Sequence, residues 1–71
     1  MTITEAHDQL ETIIDHFGIS SLTAQLSDIA YDKAEHIRSN WQDEPLAKAW
    51  ERLAVTLNTA HQKVKRVSKG L

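Results

Sequence analysis

The sequence predicts an all-α protein, a three-helix antiparallel bundle with a long third helix that self-associates. Three observations carry this. Leu46, Trp50, Leu53, Leu57, Ala60, Val64, Val67 and Leu71 recur at alternating spacings of four and three, the mark of one helix laying an apolar seam on other helices. The only strong breakers are Gly18, Pro45 and Gly70, which divide the chain into three helical stretches. No segment alternates apolar and polar residues as a half-buried strand does.

The first helix is expected over about residues 3–17. Thr2-Ile3-Thr4-Glu5 reads as a capping box, and Ile3, Ala6, Leu10, Ile13, Ile14 and Phe17 share one face. Gly18 supplies the left-handed residue that commonly ends a helix. The second helix is expected over 21–40, with Ser20 or Ser21 as cap. Its inner face is read as Leu22, Leu26, Ile29, Ala30, Ala34, Ile37 and Trp41. Asn40-Trp41-Gln42-Asp43 turns the chain. Pro45 suits the first turn of a third helix over 44–69, capped by Asp43 or Glu44. At 1.5 Å per residue the three span roughly 21, 30 and 38 Å, so the third outreaches the first. Its last turns are expected to pack on a second chain or to fray as a basic tail.

The residues beside the seam decide between a dedicated coiled coil and a bundle. A two-stranded coil flanks its seam with Glu and Lys, whereas here the flanks hold Ala47, Ala49, Ala54, Thr56 and His61. Small flanking residues admit close-packed helices on both sides, which favours the bundle.

The 71 residues read as one small domain, residues 1–71. A chain of this size buries only about 60% of its unfolded surface, so its core is marginal without a staple or a partner. There is no cysteine, hence no disulfide and no thiolate metal site. The first residues, MTITEAHDQ, are polar and acidic, unlike a secretion signal, and no apolar run is long enough to span a bilayer. A cytoplasmic location without membrane contact is expected.

Charge is unevenly placed. Residues 1–35 carry seven carboxylates (Glu5, Asp8, Glu11, Asp15, Asp28, Asp32 and Glu35) against Lys33, a balance of −6. Residues 52–71 carry Arg52, Lys63, Lys65, Arg66 and Lys69 without an acid, a balance of +5. The basic end names Lys63, Lys65, Arg66 and Lys69 as the residues that would contact nucleic acid. Basic residues in a last helical turn also simply complement the helix dipole. Nucleic-acid binding is disfavoured, because the first two helices are acidic, the net charge is −2 and no aromatic stands among those cations to stack on bases.

Other patterns carry less. Ile14-Asp15-His16-Phe17-Gly18-Ile19-Ser20-Ser21 has the outline of a helix-turn-helix, but the second helix would present Asp28 and Asp32 to phosphate and is about twice the usual length. His7, His16, His36 and His61 are dispersed, and no Glu-x-x-His or His-x-x-x-His spacing occurs, so no metal site and no cofactor are expected. Lys33 falls on the apolar stripe of the second helix, where a desolvated amine can serve as a nucleophile; more often its stem packs and its ammonium reaches water. No paired carboxylates, nucleophile–base pair or glycine-rich phosphate loop accompanies it, so no catalytic residue is assigned and the chain is read as a non-enzyme. Tyr31 projects away from the main stripe and is a candidate second contact.

The runs DHFGISSLTAQLSDIAYD and KAEHIRSNWQDEPLAKAWER resemble a group of short bacterial proteins. These share a phenylalanine- or histidine-glycine turn, an Asn-Trp-Gln-Asp-like corner and a Trp-containing helix. The likeness covers residues 15–52. No activity is established for that group, so it implies a recurring module and no mechanism. Trp41 and Trp50 are the most distinctive pair within it and are expected to clamp the corner.

The functional expectation is a small non-catalytic interaction module, an adaptor, subunit or regulator acting through helix packing. Its partner is a second copy of itself, another protein, or both. The expected interface residues are Leu57, Ala60, Val64, Val67 and Tyr31. The alternative is a nucleic-acid-associated regulator using the basic end of the third helix.

Overall fold

The computed structural model describes all 71 residues, and they form three helices and no strand: α1 (Ile3–Phe17), α2 (Ile19–Asn40) and α3 (Glu44–Ser68). Helix α2 packs against both α3 and α1, giving an all-α three-helix bundle. The two contacts are unequal. Helices α2 and α3 run antiparallel along most of their lengths, while no Cα of α1 comes within 8 Å of one in α3. The molecule is correspondingly flat, 42 × 30 × 14 Å. Its radius of gyration is 14.2 Å. A compact domain of this length has about 11 Å.

Local chemistry fixes the ends. The Glu5 amide donates to Thr2 Oγ1 at 3.1 Å, and the Leu46 amide donates to Asp43 Oδ1 at 3.2 Å. Each cap satisfies an orphan amide of a first turn. Pro45 sits in the first turn of α3, where its missing N–H costs nothing. Gly18 adopts φ 87° and its N–H donates to the Ile14 carbonyl at 2.8 Å, closing α1. Space around Gly18 is open, so only that positive φ requires glycine.

Helix α2 begins at Ile19, directly after Gly18, and has no side-chain cap. The expected serine cap is therefore corrected. One residue serves as the stop of α1 and the start of α2, which leaves Ser20 and Ser21 inside the helix. At the other corner Gln42 takes φ 53°, a left-handed conformation that L residues adopt at a cost of about 1–2 kcal/mol.

The α2–α3 seam is built from small residues. The only buried positions in the protein are Ser27, Ala30 and Ala34 on α2 and Ala47 and Ala54 on α3. Small side chains let two backbones approach closely, and a hydroxyl exploits it. Ser27 Oγ donates to the Ala54 carbonyl at 2.9 Å. Further along, Thr23 Oγ1 donates to the Ser20 carbonyl at 2.8 Å. Its lone pair then accepts from His61 Nδ1 at 2.8 Å, so His61 carries its proton on Nδ1. These two cross-helix bonds set the register of the hairpin.

That seam differs from the expected one. On α3 the residues turned toward α2 are Ala47, Trp50, Ala54, Leu57, His61, Val64 and Ser68, buried or half-buried at spacings of three and four. The sequence contains two overlapping stripes that share Trp50, Leu57 and Val64. The chain uses the stripe of small residues inside and leaves Leu46, Leu53, Ala60, Val67 and Leu71 outside. Helix α2, 22 residues against the 25 of α3, reaches the end of α3, where Ile19, Val64, Val67 and Leu71 line one groove while Val67 and Leu71 stay 72% and 92% exposed.

Candidate functional site

Large apolar side chains line the outside of the hairpin. None of them is fully buried anywhere in the protein. On one broad face, Leu26 and Ile29 of α2 lie beside Leu46 and Leu53 of α3, each between 39% and 49% exposed. Trp50 and Ile37, half-buried, join them across the groove between the helices. Lys33 stands in the middle of this face with its ammonium 5.6 Å from the centroid of the Trp50 ring, a cation–π contact. The amine borders an open groove with Asp32 and His36, which is how a lysine stem packs on an apolar surface while its charge reaches water.

The exposed area exceeds what a folded monomer shows. Single-chain proteins of this mass expose about 4,450 Å². This chain of 8.0 kDa exposes 5599 Å². The surplus, about 1,100 Å², is of the size that one partner hides in a standard protein–protein interface, about 800 Å².

The predicted contact residues divide. Leu57 and Val64 are half-buried in the hairpin seam, while Ala60 and Val67 lie on the outward side of the same helix, with Val67 72% exposed. Tyr31, 45% exposed, projects from the opposite side of α2 and does not join them. Leu26, Ile29, Leu46 and Leu53 belong to the outward face and were assigned by sequence to the inner stripe. The signal that separates them is side-chain size, since the neighbouring stripe of Ala, Ser and His is the one two backbones can approach across.

The corner is held by charge rather than by indole rings. Trp41 is 72% exposed and clamps nothing, a correction to the expected pairing with Trp50. Arg38, in the last turn of α2, instead reaches Glu44 with Nε and Nη2 at 3.0–3.1 Å, Glu35 with Nη1 at 3.1 Å and Glu51 with Nη2 at 2.6 Å. The bonds to Glu44 and Glu51 push the guanidinium up from its ordinary value, and the bond from Arg38 holds the Glu44 carboxyl below its ordinary range. A planar fork that grips several carboxylates at once is what arginine supplies and lysine does not.

The basic residues Lys63, Lys65, Arg66 and Lys69 are all exposed and enter no ion pair. By helical projection Lys65, Arg66 and Lys69 neighbour one another at spacings of three and four, while Lys63, four residues before Val67, borders the outward apolar face.

The histidines stand apart. His7 lies 3.4 Å from Glu11, His16 Nδ1 donates to the Thr12 carbonyl at 2.8 Å, Asn40 Nδ2 lies 3.2 Å from His36 Nδ1, and His61 serves the hairpin. No three side chains of His, Asp or Glu converge as metal ligands would. No helix is long and apolar enough to cross a membrane. Compared with known proteins, the chain matches no family model, no curated protein and no solved structure.

Proposed function

We propose that this protein is a small non-catalytic interaction module, an adaptor, subunit or regulator that works by packing its helices on a partner. One observation carries the reading. The buried part of the seam is alanine and serine, and Leu26, Ile29, Leu46 and Leu53, which could have formed a core, line an outward face with the half-buried Trp50 at its edge. Burying such residues is worth about 1.5–3 kcal/mol each, so a surface that leaves them wet gains strongly from a complementary one. Catalysis has no comparable support, since Asp32 and His36, which share the groove with Lys33, make no hydrogen bond to it. The cytoplasm is the proposed location.

The test is a comparison of two forms of the protein, immobilised and exposed to the contents of the native cell. Wild type is expected to retain a defined protein, and Leu53→Asp, checked by circular dichroism to have kept its helices, is expected to release it. Equal retention by both would remove the outward face as the working surface.

A nucleic-acid-associated regulator is the second reading, favoured only by the exposure of the basic end of α3. The acidic border of α2 and the net charge of −2 weaken it, because both repel a phosphate backbone.

A further inference from the structure

The outward face has the charge pattern of a surface made for itself. By helical projection its border on the α2 side is Asp32 and His36, and its border on the α3 side is Arg52 and Lys63. The groove lining agrees, with Asp32 and His36 beside Ile29 and Lys33. One edge is acidic and the other basic. Neither Asp32 nor Arg52 is in an ion pair within the chain.

We propose, resting on the interaction reading above, that the partner is a second copy of this chain and that two α2–α3 hairpins stack these faces about a two-fold axis parallel to the helices, making an antiparallel four-helix bundle. A closed dimer interface must be complementary to itself, and the direction of the axis decides whether this one is. An axis parallel to the helices lays α2 of one copy over α3 of the other, so acidic edge meets basic edge twice. An axis across the helices lays α2 over α2 and sets each acidic edge against its own counterpart. Only the first arrangement is attractive.

Register supports it. The bonds Ser27–Ala54 and Thr23–His61 place Asp32 near the level of Arg52 along the hairpin. An axis parallel to the helices preserves level, so Arg52 of the second copy faces Asp32. In each helix one stripe of small residues then serves the hairpin and one stripe of large residues serves the dimer, as the helices of a four-helix bundle require. Helix α1 stands apart from α3, and its Ile13 and Phe17 line a groove with Ser21, Leu22 and Gln25 of α2. The surplus surface of about 1,100 Å² per chain matches what such a dimer hides.

Sedimentation equilibrium on the full chain tests the proposal. Wild type is expected at twice the chain mass of 8.0 kDa at micromolar concentration. Arg52→Glu and Asp32→Lys each set like charges against one another at both edges, and each is expected to weaken the dimer at low salt by about tenfold. Mixed in equal amounts, the two variants are expected to form a heterodimer as tight as wild type, because each repulsive edge then meets its opposite. All these positions are exposed, so the variants keep their fold. A wild-type dimer whose variants are unweakened, or whose mixture is not restored, overturns the arrangement. A folded wild-type monomer at high concentration overturns the second copy as partner. If that monomer binds a hydrophobic-surface dye that Leu53→Asp abolishes, the interaction reading stands without it; if it binds none, both fall.

Discussion

Ser27 Oγ and the Ala54 carbonyl oxygen lie 2.9 Å apart at the buried centre of the α2–α3 hairpin. The bond exists because neither residue extends far beyond its Cβ, so the two backbones come close enough for a hydroxyl on one helix to reach a main-chain oxygen on the other. Ser27→Ala keeps the close approach and loses the bond. It is expected to cost about 1 kcal/mol in a urea titration. Ala54→Leu keeps the hydrophobicity and removes the space. It is expected to cost about 3 kcal/mol or to prevent folding, because overpacking forces the helices apart along their whole seam. Equal tolerance of both would show that the small-residue seam is not what holds the hairpin.

The two tryptophans should behave differently. Trp41 is 72% exposed at the corner, so Trp41→Ala is expected to change stability by less than about 0.5 kcal/mol. Trp50 is half-buried beneath the Lys33 ammonium, and Trp50→Ala is expected to cost about 2 kcal/mol from lost burial and the cation–π contact. Iodide quenching of single-tryptophan variants checks the exposure directly, with the Trp41-only form quenched far more strongly.

Acid should loosen the corner first. Glu44 is bound by Arg38 through three hydrogen bonds, and its carboxyl sits below the ordinary value of 4.5. A carboxylate depressed in the folded state adds stability that is complete above its unfolded pKa and is lost as pH falls through the lower folded value. Between pH 7 and about 5.5 the Glu44 contribution is therefore constant, and below about 4.5 it declines. Glu44→Gln is expected to be less stable than wild type at neutral pH and to converge on it in acid. Urea midpoints measured across this range check the sign. A gap that widens on acidification would contradict the assignment.

Reading from sequence succeeded where local chemistry decides and failed where geometry between helices decides. Thr2, Gly18, Asp43 and Pro45 mark helix ends by their own conformational and hydrogen-bonding habits, and each acts as its residue type predicts. The stripe of α3 was visible in the spacing from Leu46 to Leu71, but the spacing could not say which neighbour it faces. Ala47, Ala54, His61 and Ser68 repeat at the same interval one residue later, and the hairpin uses them. Apolarity alone favoured the leucines; the closeness of approach that alanine allows reverses the choice. The Arg38 cluster was not legible, since Glu35, Glu44 and Glu51 meet only once the corner is folded.

The basic end of α3 separates the two functional readings. If Lys63, Lys65, Arg66 and Lys69 bound nucleic acid, each phosphate contact would release a counterion and affinity would fall steeply with salt. None of these cations makes a cation–π contact, and the acidic edge of α2 borders the same face as Lys63. Anisotropy titrations with duplex DNA and single-stranded RNA near physiological salt are therefore expected to show only weak binding, and replacement of the four residues by Gln is expected to change it little. Submicromolar, salt-sensitive binding that disappears in that variant would replace the interaction reading. Under the two-fold arrangement the same variant has a second, distinct signature. It should weaken the dimer through Lys63, where Lys65→Gln and Lys69→Gln alone leave it unchanged.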